Sequence, residues 1–458
     1  MERLYSLNHK IMEEMEMAEK KTSVLKEEMK NLDLVSIING GDGKPVFRKN
    51  NFADYSYRTG IPLIDYANGY EVLIRNEDGE VVDKRLCLGI QAGTLNTITG
   101  PTQSYKSTIG IIMCSNIAQG NEGNILHLDA EGRLIVQRVQ TLTKLPYDWF
   151  TGDPPRYAIQ KGSIGFDGIE EQITKIWMNK LKYRDLLLTD TGVKDGANKP
   201  LMMMPPTVVF LDSLSSVLSK EYDIDNKKMM DGVGELHNNT YGMINAKTIR
   251  GMFQDIIPMM EEANIIMIQI SHQNSNPATS PMGGPKKQFQ YGSVDVKVAG
   301  GKAVEYNSSL LATFTGESSA DSRYFMDTDG FEGNTVLFEP TKSSTNVSGN
   351  VKTGRGYRLV IDKTHGSVDN LRSLVLFLNE RGRLKGNKAG YKVLDKNGET
   401  ISERFTWRKI YEDFKNDPST YKSFMLVAKE ELETLIAPAP DVSGQNVVFD
   451  VDSVINSL

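Results

Sequence analysis

Apolar residues along the chain cluster in short runs that end in polar side chains. Such runs lie at 95–98, 124–128, 207–211 and 265–270, and we interpret each as a buried strand. A helical apolar stretch at 109–112 follows the first run closely. Strands that alternate with helices are typical of parallel sheets. The pattern therefore predicts an α/β fold with a twisted, mainly parallel sheet flanked by helices.

Residues 4–32 have a different period. Mainly apolar side chains recur there at spacings of three and four residues, and this spacing places them on one face of a helix. The stripe consists of Leu4, Leu7, Ile11, Met15, Ala18, Thr22, Leu25, Met29 and Leu32. The other faces are crowded with Glu and Lys. This pattern predicts a long N-terminal helix that packs on its own domain or on a neighbouring subunit, and the polar run at 39–43 ends it.

Shifts in composition divide the chain into regions. The predicted regions are an N-terminal helix and linker over 1–50, a core over 51–380, a small C-terminal α+β domain over 381–437 and a flexible acidic tail over 438–458. Within the core, the alternation at 70–88 predicts a β-hairpin with a Gly-containing turn. The distance between the second and third apolar runs predicts an inserted lobe within 150–204, because one crossover helix needs fewer residues.

Composition narrows the class of protein. The chain has 458 residues, of which 53 are basic and 59 acidic, so its net charge is −6 and any affinity for nucleic acid must be local. Cys87 and Cys114 are the two cysteines, and their positions predict buried thiols rather than a disulfide. The N-terminus has no long apolar segment and the chain has no run of about 18 apolar residues. We therefore expect a soluble cytoplasmic protein with no membrane partner.

The loop between the first strand and its helix carries the clearest chemistry. Its sequence at 100–108 is GPTQSYKST, and the backbone N–H groups at the start of the following helix favour an anion. Lys106 would supply a positive charge to nucleotide phosphates, and the Ser107 hydroxyl would ligate Mg²⁺. Tyr105 stands where the usual phosphate-binding motif has its second glycine.

Two later strands end in acidic residues. Glu131 follows the strand at 124–128, at the edge of the sheet where α/β proteins bind ligands. It is a candidate base for polarising an attacking water. Asp212 ends the strand at 207–211 and would hold Mg²⁺. Three such elements in chain order predict an ATP-binding site.

Taken together, these motifs resemble the RecA family of ATP-dependent recombinases, and the loop resembles most closely the phage UvsX branch, in which an aromatic residue occupies the position of Tyr105. The segment at 58–65 resembles the lead-in segment of the family. The strand at 265–270 resembles the one that ends in its nucleotide sensor, which places His272 in that role. The pair Gly300 and Gly301 is similar to the glycines that close its DNA-binding loop.

The resemblance implies a set of site residues. The nucleotide-binding residues would be Gly100, Pro101, Thr102, Gln103, Ser104, Tyr105, Lys106, Ser107, Thr108 and Asp212, and the catalytic residues Lys106, Glu131, His272 and Lys363. Lys363 would reach across a subunit interface to the ATP of a neighbour, with Arg355 and Arg358 as alternatives. Two polar segments near 220–239 and 271–302 would bind single-stranded DNA. Their DNA-binding residues would be Lys227, Lys228, Lys286, Lys287, Phe289, Tyr291, Lys297 and Lys302.

The function implied is that of a DNA-dependent ATPase. It would use ATP and Mg²⁺, form a helical filament on single-stranded DNA and exchange strands with homologous duplex DNA, with a loader or a single-strand-binding protein as further partners. Residues 4–32 would then be the arm that joins subunits. Two alternatives share the same motifs. One is a ring-shaped helicase or motor, and the other is a filament-forming accessory protein that uses ATP as a structural switch.

Overall fold

The computed structural model describes most of the chain, with gaps. The described ranges are 54–162, 164–217, 238–275, 296–317, 333–345, 356–362, 366–387 and 389–439. The predicted N-terminal arm, with its helix at 4–32, lies outside them, as do residues 440–458 of the predicted tail. At 238–246, 274–275 and 296–297 the description covers the backbone alone.

Strands and helices alternate over the described residues. The strands are β1 (Ser56–Tyr57), β2 (Tyr70–Arg75), β3 (Val81–Cys87), β4 (Ile90–Gln91), β5 (Leu95–Gly100), β6 (Asn124–Asp129), β7 (Tyr157–Lys161), β8 (Thr189–Lys194), β9 (Pro200–Met203), β10 (Thr207–Asp212), β11 (Ile265–Ser275), β12 (Val296–Val298), β13 (Leu310–Gly316), β14 (Gly333–Ser343), β15 (Tyr357–Asp362), β16 (Ser367–Asp369), β17 (Leu384–Asn387) and β18 (Gly390–Val393). The helices are α1 (Pro62–Ala67), α2 (Lys106–Gly120), α3 (Val136–Thr143), α4 (Asp148–Thr151), α5 (Phe166–Lys182), α6 (Arg184–Leu187), α7 (Asn238–Glu262), α8 (Gly301–Asn307), α9 (Asn370–Glu380), α10 (Ile410–Asn416) and α11 (Pro418–Glu433).

One large sheet organises the molecule. Its strands lie in the order β16-β15-β14-β13-β5-β11-β10-β6-β7, and β12 pairs with the end of β11. The six strands from β13 to β7 run parallel to their neighbours, whereas β14, β15 and β16 extend the sheet antiparallel. The predicted α/β class, with a mainly parallel sheet flanked by helices, is thus confirmed. Within the described residues, no helix is both long enough and apolar enough to cross a membrane.

The central strands are buried on both faces. Val208, Val209, Phe210 and Leu211 of β10 are all fully inaccessible to solvent, because α2 covers one face of the sheet and α5 and α7 cover the other. Helix α2 comes close to the sheet at Gly110, where a Cβ atom would lie 2.5 Å from the Phe210 ring. This close approach fixes the start of α2 relative to the ends of the strands.

The lobe expected within 150–204 is smaller than the sequence predicted. Strand β7 pairs in parallel with β6 and becomes an edge of the main sheet, and α5 packs against α7 in the adjacent helix layer. Only the short hairpin of β8 and β9 forms a sheet of its own in this stretch. Likewise β2 and β3 pair with each other as an antiparallel hairpin over 70–87.

The C-terminal elements pack on the core. β17 and β18 form a two-stranded sheet, and α11 packs against α1 and α9. The core of this region is aromatic, with Phe405, Phe414 and Phe424 in mutual contact. The chain then returns to the start of β2, where Ala437 pairs with Tyr70.

Candidate functional site

Four neighbouring strands bring the predicted nucleotide-site residues to one edge of the sheet. β5, β11, β10 and β6 are adjacent and parallel, so their carboxyl ends lie side by side. His272 of β11 is in register with Gly100 of β5, and Asp212 of β10 is in register with Asp129 of β6. Glu131 follows β6 by two residues. This is the edge at which open α/β sheets bind ligands.

The loop from β5 to α2 turns sharply. Gly100 has a φ of +149°, and a Cβ atom at this position would lie 2.1 Å from the carbonyl oxygen of Phe314. Only glycine can pass so close to the neighbouring strand. Gln103 also has a positive φ, of 65°. The loop leads directly into α2, whose first residue is Lys106.

Tyr105 occupies a left-handed backbone conformation. Its φ of 60° and ψ of 17° are the angles that a glycine adopts readily and an L-residue adopts at a cost. The motif position therefore keeps the backbone shape for which the usual glycine is suited. Asn334 of β14 donates a hydrogen bond of 2.6 Å to the Tyr105 hydroxyl, which ties the loop to the antiparallel part of the sheet.

Lys106 is buried beneath the loop, with 4% of its surface exposed. Its ammonium donates hydrogen bonds to the carbonyl oxygen of Pro101, at 2.5 Å, and to the Ser104 hydroxyl, at 3.3 Å. Burial lowers the pKa of Lys106 to about 8, although the nearby carboxylates of Asp212 and Glu131 act to raise it. The side chain is thus a cation that lacks full solvation and that an anion would stabilise.

Ser107 and Asp212 lie together next to Lys106. The Ser107 hydroxyl hydrogen-bonds to the Asp212 carboxylate, whose pKa is raised chiefly by burial. A hydroxyl and a carboxylate are ligands that suit Mg²⁺, which fills its other positions with water and phosphate oxygens. No group of three His, Cys, Asp or Glu side chains in the described ranges is arranged to hold a metal ion. The pair therefore fits a metal that arrives with a phosphate ligand.

Glu131 is held from two sides. His272 Nε2 lies 3.0 Å from Glu131 Oε1, and the Ser213 hydroxyl donates a hydrogen bond of 3.2 Å to the same oxygen. Arg133 contributes a long ion pair of 3.8 Å, but its side chain is almost wholly exposed. The backbone N–H of His272 donates to Ser215 Oγ at 3.0 Å, which fixes the strand end. The carboxylate is oriented and stays partly accessible to solvent.

A basic side chain that was not predicted from the sequence also lies near the loop. Arg138 of α3 donates a hydrogen bond of 3.1 Å to the Thr108 hydroxyl, in the first turn of α2. It brings a positive charge to the start of the helix from outside the loop. Nothing in the sequence pattern around Arg138 indicates this contact, which joins two helices.

The structure describes the side chains of only some of the residues predicted to bind DNA or to reach the ATP of a neighbouring subunit. Lys302 is exposed on α8, directly after the turn formed by Gly300. Arg358 lies on β15, where Glu317 accepts a hydrogen bond of 2.7 Å from its Nε and Glu380 pairs with its other end. The side chain of Lys297 lies outside the described part of the chain. So do Lys227, Lys228, Lys286, Lys287, Phe289, Tyr291, Arg355 and Lys363.

Comparison of the sequence with models of protein families gave no match, and comparison with curated proteins gave none either.

Proposed function

We propose that this protein is an ATP-dependent DNA recombinase of the RecA type. In this proposal it forms a helical filament on single-stranded DNA and promotes homologous pairing and strand exchange in the cytoplasm, with ATP hydrolysis to ADP and phosphate. The observation that carries the proposal is the convergence of Lys106, Asp212, Glu131 and His272 at the carboxyl ends of four adjacent parallel strands.

The loop and its lysine suit the phosphates of ATP. Backbone N–H groups at the start of α2 would bind the phosphate oxygens, and the Lys106 ammonium would exchange the oxygens of Pro101 and Ser104 for those of the nucleotide. Ser107 and Asp212 would hold Mg²⁺, which neutralises charge that develops on the phosphates. Tyr105 supports the loop through Asn334, so its presence is compatible with a phosphate cradle.

Glu131 is the residue best placed to act on water. Its carboxylate lies at the strand edge and accepts hydrogen bonds that orient it. A carboxylate held in this way would polarise the attacking water as a general base. Because His272 and Ser213 contact the same oxygen, the other oxygen of Glu131 is the one we expect to face the water.

The position of His272 supports a link between nucleotide and DNA. β11 runs from the nucleotide edge into the segment that carries Lys286, Lys287, Phe289 and Tyr291. β12, with Lys297, pairs with the end of β11 beyond His272. A contact between His272 and a terminal phosphate would therefore act on the start of the proposed DNA-binding segment.

Neighbouring subunits would complete the site. A basic residue from the next copy in the filament would stabilise the charge of phosphoryl transfer. Arg358 is less suited to this role, because Glu317 and Glu380 already pair with its guanidinium. We therefore assign the role to Lys363, with Arg355 as the alternative, and the joining arm to residues 4–32. A loader or a single-strand-binding protein would assist assembly.

Strand exchange between a circular single strand and a homologous linear duplex tests the proposal. The full chain with ATP and Mg²⁺ should produce joint molecules, and negative-stain images with a non-hydrolysable ATP analogue should show extended filaments on the single strand. Lys106→Ala should abolish the joint molecules. Closed rings that unwind a fork would favour a motor instead, and filaments without ATP turnover would favour the accessory switch.

A further inference from the structure

A surface cleft lies between α1 and α11, and none of its lining residues belongs to the loop at 100–108. It has a volume of about 640 Å³. Pro62 and Tyr66 of α1 form one wall, Met425 and Leu426 of α11 form the other, and Leu374 of α9 also lines it. Clefts of this size with mainly apolar walls are typical of binding sites.

The wall formed by α11 includes three exposed apolar side chains. Tyr421, Met425 and Leu426 are 43%, 37% and 55% exposed, and all three line the cleft; Tyr421 and Met425 are one turn apart on α11. A contiguous exposed apolar patch marks an interaction surface more often than single exposed residues do. The cleft therefore favours an occupant with apolar side chains.

The rim of the cleft is basic. Arg58, Lys422 and Lys429 all line it, and all three are exposed. Lys429 also pairs with Glu433 at 3.7 Å, a long contact between exposed groups. Asp65 is the one acidic residue of the lining, and its Oδ1 accepts hydrogen bonds from the backbone and side chain of Thr59. The rim thus favours an occupant that carries negative charge.

The described chain ends beside this cleft. Ala437 pairs with Tyr70, and the N–H of Ala439 donates to the Glu71 carboxylate at 3.2 Å. Only Asn68 and Gly69 separate this pairing from the end of α1. The residues that follow, 440–458, span about 60 Å when fully extended, whereas α1 is about 9 Å long. Their reach is more than sufficient.

The sequence of residues 440–458 complements the cleft. Its apolar residues are Val442, Val447, Val448, Phe449, Val451, Val454, Ile455 and Leu458. Asp441, Asp450 and Asp452 are its charged residues, and it contains no Lys or Arg. A segment that remains in solvent is expected to carry fewer aliphatic side chains than this. The segment instead combines apolar anchors with negative charge.

We propose that residues 447–455 of the same chain dock in the cleft between α1 and α11. Phe449 is the anchor, which packs against Met425 and Leu426, and Asp450 and Asp452 lie toward the basic rim. Docking covers the apolar face of α11 and joins it to α1. The proposal is independent of the proposed function, because none of the residues that line the cleft belongs to the nucleotide site.

Photo-cross-linking in the full chain tests the proposal. With Phe449→p-benzoylphenylalanine, irradiation should give adducts within one chain, on the peptide that contains Met425 and Leu426, and the yield should not change on dilution. Leu426→Asp should abolish the adduct. The matched control is Ile401→Asp, which alters another exposed apolar residue of the C-terminal region, 43% exposed, and should leave the adduct in place. Adducts elsewhere, or adducts between two chains, would overturn the proposal.

Hydrogen exchange gives a second readout without a modified residue. In the full chain, Phe449→Asp should raise the exchange of amides at 421–432 and of α1, whereas the Ile401→Asp control should not. Circular dichroism establishes that each variant is folded. Unchanged exchange at 421–432 in a folded Phe449→Asp variant would overturn docking of this segment.

Discussion

His272 Nε2 lies 3.0 Å from Glu131 Oε1, although His272 belongs to β11 and Glu131 follows β6, two strands that are not neighbours. β10 runs between β11 and β6, and its next residue, Ser213, donates to the same carboxylate oxygen. The contact therefore connects the proposed catalytic base to the strand that leads into the proposed DNA-binding segment.

Glu131→Gln should separate ATP binding from ATP hydrolysis. The amide keeps the size of the side chain but loses the basic oxygen, so we expect the turnover number to fall by about 10²-fold or more. Affinity for ATP should change little, because Lys106 and the loop remain. Rapid-quench and equilibrium-binding measurements check this. Glu399→Gln, on an exposed turn of the C-terminal region, should behave as the parent. Equal turnover in Glu131→Gln would remove this residue from the mechanism.

His272→Ala should remove the effect of bound ATP on the affinity for single-stranded DNA. The variant loses the contact with Glu131 and any contact with a terminal phosphate, while the loop at 100–108 stays intact. We expect ATP to bind as in the parent but no longer to raise the affinity for single-stranded DNA. Fluorescence anisotropy of a labelled oligonucleotide, with ADP and with a non-hydrolysable ATP analogue, measures this. His272→Gln keeps a hydrogen-bonding side chain and should restore part of the coupling. If ATP still raised the affinity of His272→Ala for single-stranded DNA as in the parent, His272 would not link nucleotide binding to DNA binding.

The affinity for ATP should decrease as the pH rises above about 8. The Lys106 ammonium has a pKa of about 8 in the free protein, and the negative phosphates would favour its charged form. Below this pKa the lysine is already charged and contributes fully to ATP binding. Above it, the lysine must take up a proton when ATP binds, so the affinity for ATP falls by up to about tenfold per pH unit. Calorimetry at pH 8.5, in buffers of different ionisation enthalpy, detects the proton. Lys106→Arg stays charged and should show no such proton uptake.

At position 105 a glycine should give a more stable protein than an alanine, which is the reverse of the usual order of stability within regular elements. At a φ of 60° an alanine retains the strain of the left-handed conformation, whereas a glycine does not. We expect Tyr105→Gly to be more stable than Tyr105→Ala by about 1 kcal/mol in urea unfolding. Tyr105→Phe, which removes only the hydrogen bond with Asn334, should lose about 1 kcal/mol relative to the parent. If alanine were the more stable of the two, the backbone assignment would be incorrect.

The sequence was sufficient for the central strands of the sheet and for the loop. β5, β6, β10 and β11 are covered on both faces. β10 and most of β11 therefore appear as apolar runs, whereas Asn96, Thr97 and His127 interrupt the runs of β5 and β6. The polar residues that follow the strands mark the edge of the sheet. The helix after the loop was indicated by the apolar residues at 109–112, and it begins three residues earlier, at Lys106. The positions of these strands and of the loop therefore follow from the residues within each segment.

Features that depend on distant residues could not be predicted. β7 reads YAIQK, with partly exposed positions, because it is an edge strand, and this short mixed run does not reveal that the segment joins the main sheet. The hydrogen bond between Tyr105 and Asn334 joins residues 229 positions apart. The contact of Arg138 with Thr108 likewise depends on how α3 packs on α2. None of these leaves a local signal in the chain.

Steady-state ATP hydrolysis by the full chain, with and without single-stranded DNA, tests the central claim most directly. We expect hydrolysis that requires Mg²⁺, that single-stranded DNA stimulates, and that Lys106→Ala abolishes. A rate that DNA leaves unchanged would contradict a DNA-dependent ATPase. Parental hydrolysis by Lys106→Ala would contradict the assignment of the nucleotide site itself.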